Sequence, residues 1–117
     1  MAKKARKSAR VPRCIVVMVT CPSRSVATRL AKTLVSRRLI ACSNIIPEIE
    51  SFFWWDGRVQ RTQEILLFLK TTNANQTRLL EAVRSLHPYD VPEVIALPIV
   101  AGHSPYLEWV AASVAPQ

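Results

Sequence analysis

The chain of 117 residues lacks the residues on which several common functions depend. It has only two glycines, so neither a phosphate-binding loop nor a glycine-rich dinucleotide motif can be present. It has two histidines and no G-x-S-x-G sequence, which leaves few groups for nucleophilic catalysis. Its longest apolar run, Cys14 to Val19, is far shorter than the roughly 20 residues that span a membrane. A single domain without a membrane span is therefore predicted, and a multidomain enzyme is excluded.

The cysteines are few and irregularly spaced. Cys14, Cys21 and Cys42 are odd in number, and their spacing fits neither a CxxC redox pair nor a structural zinc site. A nucleophilic pair of Cys21 or Cys42 with His87 is an alternative, but three thiols and two imidazoles offer such pairings by chance. We expect reduced thiols and a cytoplasmic protein.

Positive charge is concentrated at the start of the chain. The net charge is +8, and residues 1–13 hold six of the sixteen Lys and Arg residues and no acidic residue. We predict that residues 1–13 form a basic, disordered tail and that residues 14–117 form one domain close to charge balance. Nucleic-acid binding is expected, if at all, only through the tail, which lacks interleaved aromatic residues. An organelle transit peptide is a further alternative for this segment.

Apolar periodicity predicts seven elements in an α+β domain. Asp56-Gly57 marks a tight hairpin turn, and Pro47 marks a bulge or edge within the preceding strand. In order they are strand 14–20, a helix capped by Ser23 and ending near Arg37-Arg38, strand 39–55, strand 58–71, a helix capped by Asn73 or Asn75 and ended by Pro88, strand 94–100, and a helix capped by Ser104.

This order is the ferredoxin-like split βαβ arrangement with a long β-hairpin and an extra C-terminal helix. Right-handed connections place both main helices on one face of an antiparallel sheet. The other face is then bare. We expect a partner subunit to cover it.

Four consecutive aromatic residues, Phe52 to Trp55, fall within a predicted strand. Alternation sends Phe52 and Trp54 to one face and Phe53 and Trp55 to the other. One pair is expected to enter the core and the other to lie at a subunit interface, with stacking on a sugar or nucleobase as the alternative. Glu64 and Lys70 share a strand face, and we expect a structural ion pair across subunits.

The segment 87–93 combines an imidazole, a phenol and two carboxylates with prolines that restrict the backbone. His87 with a nearby carboxylate such as Glu93 could contribute to a Cu²⁺ or Zn²⁺ site. On spacing alone, a rigid turn in which His87 caps the preceding helix is the favoured interpretation.

Six ordered stretches resemble the CutA family of divalent-cation tolerance proteins. The resemblance covers residues 14 to about 114, and it leaves out only the basic tail. The stretches are Val19-Thr20-Cys21-Pro22, 38–47 (RLIACSNIIP), Trp55-Asp56-Gly57-Arg58, Leu69-Lys70-Thr71-Thr72, 87–99 (HPYDVPEVIALPI) and Tyr106-Leu107-Glu108-Trp109.

This resemblance implies a tight homotrimer whose hairpins reach neighbouring subunits, and a non-enzymatic role in tolerance of copper and other divalent cations. The similar architecture of trimeric PII proteins implies an alternative. In it, a small effector binds a cleft between subunits around His87, Tyr89, Lys70 and Trp55. Animal members are linked to acetylcholinesterase assembly, so a structural assembly factor is a further alternative.

The resemblance also bears on the metal. Copper-binding bacterial members use a cysteine in the first strand and a His-His pair at the end of the second helix, and these positions are here Val19 and Leu86-His87. Only His87 keeps a ligand side chain. Weak binding of Cu²⁺ or another divalent ion by His87 with Cys21, Cys42 or Glu93 is therefore expected.

Overall fold

A computed structural model describes residues 12–116, so the predicted basic tail lies outside the described residues except for Pro12 and Arg13. The described elements are β1 (Cys14–Cys21), α1 (Arg24–Ser36), β2 (Cys42–Trp55), β3 (Arg58–Thr72), a 3₁₀ turn (Asn73–Asn75), α2 (Gln76–Leu86), β4 (Val94–Pro98) and α3 (Ser104–Ser113). Within residues 12–116, no helix is long and apolar enough to cross a membrane.

The four strands form one antiparallel sheet in the order β2-β3-β1-β4. Two βαβ-type connections, through α1 and α2, produce this order. The predicted ferredoxin-like α+β fold, with its long hairpin and extra C-terminal helix, is therefore confirmed.

One face of the sheet carries the main core. Odd-numbered residues of β1 and β3, such as Val17, Val19 and Leu67, are fully buried beneath α1 and α2. Their even-numbered neighbours point to the other face, where Ile95 and Leu97 of β4 are about half exposed. We call this second side the open face. Among residues 12–116, α3 covers its end near Cys14, and the side chain of Tyr89 contacts its other end at Glu64.

The β2–β3 hairpin extends the molecule far beyond its core. The described part of the chain measures 62 × 25 × 22 Å, and β2 and β3 pair from Cys42–Lys70 to Trp55–Arg58. The register shifts between Ile46 and Ile49, which is the bulge predicted at Pro47. Asp56 and Gly57 both have positive φ, at 54° and 74°, which is typical of the two-residue hairpin turn predicted there.

The predicted core position of one aromatic pair is wrong. All four aromatic side chains, Phe52 to Trp55, are exposed, and the exposed fraction of Trp54 is 74%. Alternation does separate them into two pairs, but the pairs lie where β2 and β3 form a two-stranded ribbon. Neither helix of the main core packs there, so no core is available on either side.

Two predicted boundaries also differ, while one predicted cap is confirmed. Strand β2 begins at Cys42 rather than at residue 39, because Leu39 and Ile40 are buried in the core as the chain leaves α1. Strand β4 ends at Pro98, two residues early. The Ser23 hydroxyl caps α1 as predicted, accepting from the Val26 N–H.

The other two predicted caps differ as well. Asn75 precedes α2 but makes no side-chain cap, because its Oδ1 instead accepts from the Arg78 guanidinium. His103, rather than Ser104, occupies the cap position of α3.

The placement of the core can be tested with two valines, one buried and one exposed. Val17→Ala removes a fully buried side chain and should lower the free energy of unfolding by about 2–3 kcal/mol. Val100→Ala, at a side chain that is 94% exposed, should change it by less than about 0.5 kcal/mol. Urea denaturation at one fixed protein concentration measures both. Equal losses would contradict the placement of the core.

Candidate functional site

His87 ends α2 and ties three parts of the fold together. Its backbone N–H donates to the Val83 carbonyl, and its ring is buried. The ring Nε2 lies 2.7 Å from the Thr20 carbonyl, and Nδ1 accepts from the Tyr89 backbone N–H at 3.1 Å. These partners assign a neutral ring with its proton on Nε2. Both ring nitrogens are therefore engaged by the main chain, as in a rigid turn.

Tyr89 links this turn to β3. Its hydroxyl donates to Glu64 Oε2 at 3.1 Å, and its ring centroid lies 4.8 Å from that of His87. Glu64 is only 7% exposed. Burial, followed by the hydrogen bond to Glu64 and the charge of that carboxylate, raises the pKa of Tyr89 to about 12. This end of the open face thus holds an acid, a phenol and an imidazole in contact.

Cys21 lies near this end but on the wrong side of the sheet. It is fully buried in the core beneath α1 and α2. Burial, and secondarily the charge of Glu64, raises the pKa of Cys21 to about 11. A thiol binds metal as the thiolate, so this environment opposes coordination. Glu93, by contrast, is exposed and directly precedes β4, whose first residue pairs with Val19.

Cys42 lies at the opposite end of the open face. It pairs with Lys70 on β3, whereas Cys21 pairs with Ile65. Five residues of strand separate these positions, or about 17 Å. The Cys42 Sγ lies 3.4 Å from the Tyr106 hydroxyl and 3.9 Å from Lys70 Nζ. Within one chain, Cys42 therefore cannot share an ion with His87 or Cys21.

The side chains of one chain do not fit a tight, closed metal site. Within residues 12–116, no three His, Cys, Asp or Glu side chains are grouped to hold an ion. At the positions implied by the family, Val19 is fully buried in the core and Leu86 packs against it. Any ion held by one chain therefore depends on His87 and exposed groups near it.

The predicted cleft residues are also dispersed along the sheet. Six strand residues separate Lys70 from Glu64, and six more separate Glu64 from Arg58, the partner of Trp55. Each interval is about 20 Å. Lys70 contacts Asn44 and Cys42 rather than Glu64. Only a second chain could bring Trp55, Lys70 and Tyr89 into one cleft.

Comparison with known protein families shows which family this chain belongs to. A family model described as the CutA1 divalent ion tolerance protein matches residues 15–113. The chain belongs to the CutA1 family. This family is named for ion tolerance rather than for a catalysed reaction.

Individual CutA1 relatives agree. The chain is 50% identical over 94 residues to the divalent-cation tolerance protein CutA of Thermus thermophilus, covering 80% of this chain and 91% of the relative. It is 49% identical over 108 residues to the chloroplastic protein CutA 1 of Oryza sativa, covering 92% of this chain but 60% of the relative. It spans 61% of the Xenopus laevis homologue and about half of the mouse and human proteins.

Solved CutA1 structures share the fold closely. The Oryza sativa structure superposes with a TM-score of 0.88 at 47% identity, covering 92% of this chain and 98% of that one. The Thermus thermophilus structure gives 0.85 at 46% identity, covering 87% and 99%. The confirmed ferredoxin-like architecture is thus that of the CutA1 family.

Sequence reasoning missed the grouping of Cys42 with Asn44, Lys70 and Tyr106. These residues come from β2, β3 and α3, and no sequence spacing links them. Strand pairing could have linked Cys42 with Lys70. Counting residues along both strands from the Asp56-Gly57 turn places Cys42 opposite Lys70 only when the extra residue of the Pro47 bulge is included. The docking of α3 beside them left no comparable signal.

The two tyrosines make the electrostatics of both ends measurable. The hydrogen bond with Cys42, followed by burial, raises the pKa of Tyr106 to about 12. For Tyr89, burial is the largest cause of a rise in pKa to the same value. Absorbance at 295 nm should therefore show native phenols titrating near pH 12 and unfolded ones near 10. The unfolded chain loses these protons first, so the stability they contribute is complete below pH 10 and is lost as pH rises toward 12.

Two variants separate the causes of these shifts. In a Tyr89→Phe background, Cys42→Ala should lower the pKa of Tyr106 toward 10, because it removes the largest cause. Cys21→Ala, in the core, should leave Tyr106 unchanged. Native titration near pH 10 in the parent protein, with circular dichroism confirming that it is folded, would contradict the geometry of both ends.

Proposed function

We propose that this chain is a non-enzymatic divalent-cation tolerance protein that acts as a homotrimer and binds Cu²⁺ or a similar ion weakly. The observation that carries the proposal is the apolar surface that one chain leaves uncovered. The aromatic hairpin tip, residues 52–55, projects from the body, and the open face exposes Ile95 and Leu97. Membership in the CutA1 family supplies the link to divalent cations.

A closed ring of identical chains accounts for both surfaces. Exposed apolar patches of this kind mark interaction sites, and the tip and the open face lie at different places on the chain. A heterologous contact, in which the tip of one copy covers the open face of the next, closes into a ring when the rotation is suitable. Three copies is the number that the family resemblance implies. The ring would also unite Trp55, Lys70 and Tyr89 from different chains.

Weak metal binding is consistent with the occupied ring of His87. An ion can take Nδ1 only if the Tyr89 N–H gives up its acceptor, or Nε2 only if the ring releases the Thr20 carbonyl. Each exchange costs about one hydrogen bond, roughly 1 kcal/mol. Glu93 is exposed at the same end and supplies a carboxylate. The proposed ion is cargo held loosely at this end.

The proposed compartment is the cytoplasm. All three cysteines lie within the described residues and are free thiols, which suits a reducing environment. The domain from residue 14 onward is close to charge balance, so nucleic acid is not a proposed partner for it.

Self-association is the first property to test. The parent protein should be a trimer by native mass spectrometry, and its melting temperature should rise with protein concentration over a hundredfold range. The double variant Phe52→Ser, Trp54→Ser should assemble at least about a hundredfold more weakly, because each large ring contributes a few kcal/mol when buried. Analytical ultracentrifugation measures this change.

The matched control is Val35→Ser. Val35 is also exposed, at 42%, but it lies on α1, away from the tip and the open face. It should leave assembly intact. A parent protein that stays monomeric throughout the dilution series would remove the explanation of the aromatic tip.

Metal binding is tested on metal-free protein titrated with Cu²⁺. Up to three ions per trimer are expected, and His87→Ala should lower the affinity at least about tenfold. His103→Ala removes the other histidine, which is exposed, and should have no effect. His87→Gln serves as a second variant, because an amide can retain hydrogen bonds where alanine cannot.

The outcomes distinguish the functions still open. A trimer without discrete ion uptake would move the proposal toward an effector-binding cleft between subunits. A thermal-shift screen of small molecules would then detect the effector, because a bound ligand raises the melting temperature. A trimer that takes up neither would favour the assembly-factor role, with a metal-free pull-down as its test.

A further inference from the structure

The end of the open face near α3 holds a cluster of which the proposed function uses only Lys70, in the cleft between chains. It consists of Cys42, Asn44, Lys70 and Tyr106. Lys70 Nζ donates to the Cys42 Sγ at 3.9 Å, and the Tyr106 hydroxyl lies 3.4 Å from the same sulfur. Asn44 Oδ1 accepts from the same ammonium group and holds it in place. A cation and a phenol from two different elements thus converge on one thiol.

The three cysteines differ sharply in their surroundings. Cys14 and Cys21 are buried, and burial raises the pKa of both thiols. The Cys14 thiol is also directed to the Leu107 carbonyl. Cys42 is partly exposed. Within residues 12–116, it is the one cysteine that lies within hydrogen-bonding range of a cationic side chain, that of Lys70. Reactive cysteines occupy such partly exposed, electropositive surroundings, whereas buried apolar ones are inert.

We propose that Cys42 is a modifiable thiol that hydroperoxides oxidise to a sulfenic acid. The ammonium of Lys70 and the hydroxyl of Tyr106 stabilise negative charge on the sulfur as it attacks. The Sγ–O bond forms while the O–O bond breaks, so that sulfur loses two electrons to the peroxide. The departing oxygen takes the proton that the thiol has given up. It leaves as water from hydrogen peroxide or as an alcohol from an organic hydroperoxide.

The fold also limits the reactions open to the oxidised sulfur. Cys14 lies on β1 and Cys42 on β2, with β3 between them. Two strand spacings, about 9.6 Å, exceed the roughly 7 Å beyond which two Cα positions cannot be bridged by a disulfide. The sulfenic acid therefore has no resolving cysteine at this position in its own chain. It stays available to a soluble thiol, which makes the modification reversible.

The test uses the full-length assembled protein with hydrogen peroxide and dimedone, which traps sulfenic acids, in the presence of a metal chelator. The chelator removes metal-catalysed oxidation, so the result is independent of the proposed copper binding. Peptide mass spectrometry should locate the label on Cys42. Its labelling rate should exceed those of Cys14 and Cys21, and that of Cys42 in urea-unfolded protein, by about tenfold.

Variants test the role of the cluster rather than simple exposure. Lys70→Met should slow the labelling of Cys42 by about tenfold, and Lys70→Arg, which keeps the charge, should restore most of the rate. Tyr106→Phe should slow it less, because it removes a neutral partner. Lys32→Met removes a lysine on α1, away from the cluster, and should have no effect. Native mass spectrometry confirms that each variant is assembled.

Three results would overturn the proposal. One is labelling of Cys42 no faster than in the unfolded chain. Another is a rate that is the same in Lys70→Met and Lys70→Arg. The third is a rate that rises on dilution in step with dissociation, which would mean that assembly hides the thiol.

Discussion

The structure depends on one imbalance: within residues 12–116, the helices cover one face of the sheet along its core and the other face only at one end. Helices α1 and α2 bury residues such as Val17 and Leu67 completely, while α3 reaches only one end of the other face. The hairpin extends the strands still further beyond any helix. Apolar side chains such as Trp54 and Leu97 therefore lie at the surface of a single chain. The described part of one chain leaves these side chains uncovered, and this apolar surface favours the assembly proposed above.

Much of this could be predicted from the sequence because it depends on local rules. The Asp56-Gly57 turn, the bulge at Pro47 and the Ser23 cap each depend on backbone preferences that a few residues determine. The failures depend on distant contacts. Leu39 and Ile40 have strand-like side chains, but they pack into the core before β2 begins. Alternation at Phe52 and Trp54 predicted sides of a strand correctly, but it cannot say whether either side meets a core.

The candidate site was less predictable than the fold. His87, Tyr89 and Glu93 are close in sequence, and their shared location could be foreseen. The engagement of both imidazole nitrogens could not, since the Thr20 carbonyl comes from a strand 67 residues away. The same residue that suggests a metal ligand is thus also a connection between β1, α2 and the turn. Any ion bound there competes with the fold for the same lone pair, which favours weak and exchangeable binding.

The two ends of the sheet show how burial gives side chains of one type different chemistry. Cys21 and Cys42 are both thiols that end or begin a strand, and the sequence offers no reason to rank them. The fold places Cys21 in the core, where burial and Glu64 keep it protonated. It places Cys42 beside an ammonium group with partial access to solvent. Because about 17 Å and the sheet itself lie between them, neither thiol can assist the other. An oxidant arriving from solvent would therefore meet the thiol of Cys42 rather than that of Cys21. Of the three thiols, only that of Cys42 is partly exposed, and it lies at the end of the open face covered by α3, away from the imidazole of His87.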